Sequence, residues 1–238
     1  MNRLQANILR LAVVVVVLTL VACAASVRQR EVRYDDDQLK EKWSEVRDSS
    51  GEFVRAGKYV SRYPGGAERT LGEYNRGRKD GLWLTKFENG QLKEWQDFVD
   101  GEKHGLSVSY YLNRNKQHEG RFSRDLKYGW WRYWYENGLL QEETSYDNGL
   151  KNGLSTLWYE TGQKKEEAHY HDGVLQGPYT AWRESGLRKT EGQYRNGKAD
   201  GPWTMWDDLG LVVAQEVYAD GQVVTDSTGS VVSADENE

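Results

Sequence analysis

The chain has 238 residues, a formal net charge of −5, 37% hydrophobic residues and only 1 cysteine. The acidic balance argues against nucleic acid as a partner, because phosphate binding needs a basic field. A lone cysteine excludes an intramolecular disulfide, and the low apolar content beside 12% aromatics predicts a thin core built on rings.

Residues 1–22 read as an export leader. Arg3 and Arg10 precede an apolar run from Leu11 to Ala22 broken only by Thr19. That run is short for a membrane span, which needs about 20 apolar residues. It ends in Leu20-Val21-Ala22-Cys23, which resembles the bacterial lipobox. The resemblance implies that Cys23 becomes the lipidated first residue of the mature chain. The thiol suits the chemistry, as the nucleophile that accepts the diacylglyceryl group. The alternative is a plain membrane anchor with an incidental cysteine. Ala24 rather than Asp after the cysteine implies sorting to the outer membrane of a Gram-negative envelope.

Residues 23–56 are charged and carry no repeat. Asp36-Asp37 is placed to cap a short helix over residues 38–47, with Leu39, Trp43 and Val46 at helical spacing. Such a helix would cover the open end of a repeat array; a solvated tether is the alternative.

From residue 57 to 224 the chain is an array. Gly57, Gly81, Gly105, Gly129, Gly153, Gly177 and Gly201 stand at 24-residue intervals. A fixed period of this size means stacked units that bury one another's apolar faces. Counting from each opening glycine, position seventeen is always aromatic: Tyr74, Phe98, Phe122, Tyr146, Tyr170, Tyr194 and Tyr218. Position two is often a ring, as in Trp83, Trp131 and Trp203, and position fifteen is often small, as in Gly72, Gly120 and Gly192. A small residue there leaves room for a ring from the adjoining strand. Asn89-Gly90, Asp100-Gly101, Asn137-Gly138 and Asn148-Gly149 are hairpin-turn dipeptides. Two such turns per unit leave two strands of about six residues. The fold class is therefore all-β, an elongated antiparallel meander of seven hairpins. Residues 225–238 are small, polar and acidic, with a composition that favours disorder.

The unit from Gly81 through Trp83, Phe87-Glu-Asn-Gly90, Phe98, Asp100-Gly101 and His104-Gly105 resembles the bacterial variant of the MORN repeat, and the likeness extends over residues 57–221. Bacterial proteins of this type are often named YwqK-family antitoxins, so the resemblance implies either a scaffold or a toxin-occluding role. The motif is specific for the fold and weak for function.

The unit opening at Gly105 departs from the pattern. It has Arg114 and Asp125 where other units have turn glycines, and Ser107 at position two. Arginine is strained at positive φ, so the Asn113-Arg114-Asn115 turn is expected to change type and to bend the sheet.

Candidate chemistry is sparse. At position five, Tyr110, Trp134, Trp158, Trp182 and Trp206 form a second aromatic row, whose parity sends it to the face opposite position two. It is either a binding surface for sugars, aromatic side chains or lipid, or a row of rings packed on charged stems. Glu119, Glu143, Glu167 and Glu191, with Lys165 and Lys189, recur at the same period. Because a catalytic group is unique in its site, charge pairing is the plainer account of them. His169 and His171 share a face, yet no third metal ligand accompanies them. No nucleophile elbow, phosphate loop or zinc spacing is present. The sequence thus points to a non-catalytic, lipid-anchored envelope protein. It has no implied cofactor or metal, and its partner is a protein or an envelope glycan. The alternatives are an antitoxin or immunity-type inhibitor and a glycan-acting enzyme.

Overall fold

The computed structural model describes residues 27–225. The leader, Cys23 and the acidic tail from residue 226 onward lie outside that range. Seventeen β-strands make up the described chain, with no helix among them. The chain divides into two compact units, one running up to Gln91 and including Phe98–Gly101, the other holding Leu92–Asp97 and everything from Glu102 onward.

In the first unit, β1 (Arg28–Arg33), β2 (Leu39–Arg47), β3 (Phe53–Arg62), β4 (Glu68–Asn75) and β5 (Arg78–Lys86) pair antiparallel in chain order. Strand β6 (Leu92–Val99) is divided between the units. In the second unit, β7 (Glu102–Tyr110), β8 (Lys116–Ser123), β9 (Leu126–Trp134), β10 (Leu140–Asp147), β11 (Leu150–Trp158) and β12 (Lys164–His171) continue the same way. They are followed by β13 (Val174–Trp182), β14 (Arg188–Arg195), β15 (Lys198–Trp206), β16 (Val212–Ala219) and β17 (Gln222–Thr225).

The strands are eight or nine residues long in the regular units, longer than the spacing of turn dipeptides suggests. The reason is the opening glycine. Gly129 does not begin a strand; it sits inside β9 with φ +68°, at a register shift where Gly120 of β8 faces three residues of β9. It marks a β-bulge, and the strand starts three residues earlier, at Leu126. Each unit alternates two turns. At Asn148-Gly149 both residues have positive φ, as a two-residue hairpin requires. At Tyr135–Leu139, the Tyr135 carbonyl accepts from Gly138 N–H and Tyr135 N–H donates to Leu139 O, both at 2.9 Å.

Two expectations are corrected. The capping helix over residues 38–47 is strand β2. Its charged residues pair across to β1, as Lys42–Glu31 does at 3.0 Å, and Trp43 lies beneath the Arg55 guanidinium at 4.5 Å. Propensity for a short helix gives way to pairing with a neighbouring strand. The β1–β2 hairpin is in effect an irregular further repeat: its Tyr34–Gln38 turn has the same backbone bonds as the Tyr63–Ala67 turn.

The Gly105 unit is not broken either. Arg114 adopts the glycine's conformation, φ 73°, and Arg114 N–H donates to Tyr111 O at 3.0 Å as Gly138 does to Tyr135. The asparagines flank it instead of replacing it. Asn113 Oδ1 accepts from Asn115 N–H at 2.9 Å, and both amide groups donate to Glu136 O, at 2.6 and 2.9 Å. These bonds over-determine the loop and hold a residue that glycine would occupy more comfortably. Asp125 likewise keeps the turn, at φ 65°.

One bond joins consecutive units. The position-six tyrosine donates its hydroxyl to the carbonyl of the position-five residue of the next unit: Tyr111 to Trp134, Tyr135 to Trp158 and Tyr159 to Trp182, at 2.8 to 2.9 Å. Tyr63 does the same to Lys86 at 2.9 Å. Where the sequence has Arg183, its guanidinium reaches Trp206 O at 2.7 Å. The side chain changes there but the clasp persists, whereas Phe87 at the same position has no hydroxyl to donate.

Candidate functional site

One face of the sheet is a ladder of rings. In the second unit, Trp131 is 2% exposed and lies over Gly120, where an added Cβ would sit 2.2 Å from the indole. Trp203 lies over Gly192 in the same way, at 2.2 Å. In the first unit Trp83 covers Gly72 at 2.3 Å. The small residue at position fifteen thus receives the ring eleven residues later, as its size predicts. Position-seventeen rings meet these indoles edge-on: Phe122–Trp131 at 4.8 Å and 74°, Tyr194–Trp203 at 5.1 Å and 80°, Tyr74–Trp83 at 5.0 Å and 82°. This geometry adds quadrupole attraction to burial. Lysines two residues before the opening glycines cap the rings. Lys79 Nζ stands 4.3 Å from the Trp83 centroid, Lys103 4.9 Å from Phe122 and Lys127 4.6 Å from Trp131.

Between the indoles of the second unit the same face turns polar. Thr144 and Ser155 occupy the glycine and tryptophan places, buried and bonded through their hydroxyls at 2.7 Å. Glu142 accepts from Thr144 at 2.8 Å and pairs with Lys151 at 3.0 Å. Burial pulls Lys151 toward neutrality, but the Glu142 partner outweighs it and raises the pKa. Burial, then Glu142, pushes Tyr133 up to about 12. Burial also raises Tyr146 and Tyr170, and raises Tyr179, whose hydroxyl donates to Glu166 at 3.2 Å. His118 is stacked on Trp131 at 5.8 Å and its Nδ1 lies 2.6 Å from Ser109 Oγ. Burial lowers its pKa against the pull of Glu94. The network is internally satisfied, which suits a structural role.

The opposite face carries the position-five row. Tyr110, Trp134, Trp158, Trp182 and Trp206 are all half-buried. Lys116 Nζ lies 5.5 Å over Trp134, Lys164 5.6 Å over Trp182 and Arg188 5.9 Å over Trp206. Ring–stem packing is therefore what the structure displays at these three rings. The recurrent glutamates are in ion pairs: Glu119 with Lys116, Glu143 with Arg132, Glu167 with Lys164 at 2.6 Å and Glu191 with Arg188 at 2.7 Å. His169 and His171 stay apart in role. His169 lies 3.4 Å from Pro178 O and His171 3.4 Å from Asp172. Among the described residues no group of three His, Cys, Asp or Glu could hold a metal, and no helix is long and apolar enough to cross a membrane.

Three features escaped the sequence reading. The lysine ladder recurs at the 24-residue period and was visible in principle. His118 stands where other units have Thr or Glu. Tyr128 and Trp130 flank Gly129 and are 56% and 46% exposed. Their signal is a departure from the repeat, since the same places elsewhere hold pairs such as Asn152/Leu154 and Asp200/Pro202.

Residues 79–97, 127–148 and 151–172 match the MORN repeat variant family, so the chain carries repeats of this type. Each match begins at the capping lysine, Lys79, Lys127 or Lys151, close to the strand start. No curated protein matches the chain. Among solved structures, a TcdB2-TccC3 structure is similar over 84% of this chain, at 11% identity and TM-score 0.23; the chain spans 14% of its length. A porin-like protein from Bacteroides uniformis is similar over 84% of this chain and 93% of its own, at 13% identity and TM-score 0.22. Likeness at these scores carries no argument.

Proposed function

We propose that this protein is a non-catalytic, lipid-anchored scaffold of the bacterial envelope that presents its repeat array as a binding surface. The observation that carries the reading is the clasp between consecutive units, Tyr111 to Trp134 through Tyr159 to Trp182. It repeats one geometry from unit to unit, as an extended recognition surface requires, whereas a reaction centre would need one unique constellation. The network of Glu142, Thr144, Ser155 and Lys151 supports the same reading, since its hydrogen bonds and ion pair are spent within it. Anchoring rests on Leu20-Val21-Ala22-Cys23 behind a basic and apolar leader, and an acyl chain with a second membrane signal would hold the array at a bilayer.

The test combines two measurements on the full chain expressed in a Gram-negative host. Mass spectrometry of the mature N-terminus is expected to give an acylated Cys23, and Cys23→Ser is expected to leave the chain unprocessed. Photo-crosslinking from position five, at residue 134 or 158, is expected to capture an envelope component. An unmodified chain beginning at Met1 sinks the anchor, and crosslinks to nothing but solvent sink the surface.

A further inference from the structure

We infer that Tyr128 and Trp130 are the centre of a glycan-binding stripe that takes an extended, β-linked polysaccharide. This rests on the binding-surface reading and names the class of ligand. Trp131 and Tyr133 stack on one face at 6.1 Å, with Lys127 over both. Trp130 is next to Trp131 in β9 and so projects to the other face, and Tyr128 pairs with Arg121, whose neighbour Phe122 packs on Trp131, which puts Tyr128 on that other face too. There they are the exposed rings of a protein that buries or half-buries its other indoles in this unit.

The registers place them in a row that crosses the strands. Tyr128 is directly opposite Arg121, Trp130 opposite Ser145, and on the next hairpin Leu154 is opposite His169. Arg121 is charged, and one step along the same face Arg132 pairs with Glu143 beside Trp130 and Ser145. Rings, an aliphatic side chain and hydrogen-bonding groups together suit a sugar, which offers a C–H face for stacking and hydroxyls for Ser145 and His169. Two strands on, about 9.6 Å along the row, Leu154 holds the place of Trp130, and an extended β-linked chain presents equivalent ring faces at every second sugar.

Other polymers fit less well. An added peptide strand needs an open sheet edge, and at this row β8, β9 and β10 are already paired with one another. A nucleic acid would need more than one arginine and a basic field. Tyr128 and Trp130 replace the Asn/Leu or Asp/Pro of other units, so the repeat itself does not require the rings. A contiguous exposed aromatic pair that folding does not require marks a contact site.

The experiment uses the mature full-length protein with two probes, purified cell-wall sacculi in a pull-down and a soluble β-1,4-linked N-acetylglucosamine hexamer titrated by tryptophan fluorescence. Binding is expected for the native protein. Trp130→Ala and Tyr128→Ala are each expected to bind about tenfold more weakly, as for an anchor residue, and Trp130→Phe to recover most of the affinity. Leu209→Ser, on a distant turn, is expected to bind normally. Thermal melts of the variants are expected to match the native protein, which separates lost contact from lost fold. Native-like binding by Trp130→Ala overturns the location. No binding of either glycan by the native protein overturns the ligand class; if position-five crosslinks still capture a protein, the scaffold reading survives that loss.

Discussion

Two stretches of the second unit fill the same slot in different ways. At Gly192 and Trp203, an indole lies on bare backbone and is flanked edge-on by Tyr194 and Tyr218 at 5.1 and 6.0 Å. At Thr144 and Ser155, two hydroxyls meet at 2.7 Å, and Glu142 and Lys151 close the network beside them. Between these extremes, Ala168 precedes Tyr179 by the same eleven residues. Floor and ring vary together: glycine with tryptophan, alanine with tyrosine, threonine with serine. The clasp crosses both kinds of slot, from Tyr135 at the polar one, from Tyr111 at Gly120 and Trp131, and from Arg183 at Gly192 and Trp203. Backbone geometry and inter-unit bonding are thus the constant, and the slot is free to be greasy or polar provided the pair fits.

The largest effect is expected where a ring is removed from the aromatic slot. Trp131→Ala should destabilise by about 3–5 kcal/mol, because the cavity over Gly120 has no side chain beneath it to collapse into. Denaturant melts check this, and Ser155→Ala in the polar slot should cost less, since it leaves Thr144 one partner in Glu142. Breaking the shared clasp should cost less again. Tyr159→Phe is expected to lose about 0.5–1.5 kcal/mol by leaving the Trp182 carbonyl without its donor. Hydrogen exchange should then quicken at the junction of those two units first. Relieving the strained turn should act in the other direction: Arg114→Gly is expected to gain about 1 kcal/mol or less. Unchanged or lower stability in that variant would mean that the asparagine bonds to Glu136 remove the strain entirely.

A pH effect sharpens the same contrast. Around His118 stand Ser107, Ser109, Trp131 and Tyr133, with Lys103, Lys127 and Glu94 as its charged neighbours. Its folded pKa lies below the ordinary value of 6.5, so the unfolded chain takes up the proton more readily. The contribution is fully present above the unfolded pKa and is lost as pH falls through the folded one. Melting temperature should fall on going from pH 7.5 toward pH 5, and His118→Gln should flatten that slope.

Much of the fold was legible because it is periodic. Glycines and rings at fixed intervals give hairpins, and the small residue before a large ring gives the slot. What periodicity could not supply were the places where it fails. The β1–β2 hairpin has the backbone bonds of a repeat turn at Tyr34–Gln38, but Tyr34 lies 29 residues before Tyr63 instead of 24, so the spacing hides it. Asp36-Asp37 then looked like a helix cap although pairing with β3 decides the matter. Arg114 looked like a break because a residue's intrinsic preference was weighed without the side-chain bonds from Asn113 and Asn115. For the candidate site the lesson is reversed. Three rings of the repeated row at position five, Trp134, Trp182 and Trp206, are packed against Lys116, Lys164 and Arg188. The exposed rings are the unrepeated Tyr128 and Trp130, which only the difference between units could reveal.

The coupling of floor and ring is tested most directly by a double-mutant cycle on Gly192 and Trp203. Gly192→Ala alone should destabilise by about 1–3 kcal/mol, because its Cβ would sit 2.2 Å from the indole. Adding Trp203→Tyr recreates the natural Ala168–Tyr179 pairing, so the double variant should be more stable than Gly192→Ala alone, with a favourable coupling of at least about 0.5 kcal/mol. Strictly additive losses in the melts would contradict the account.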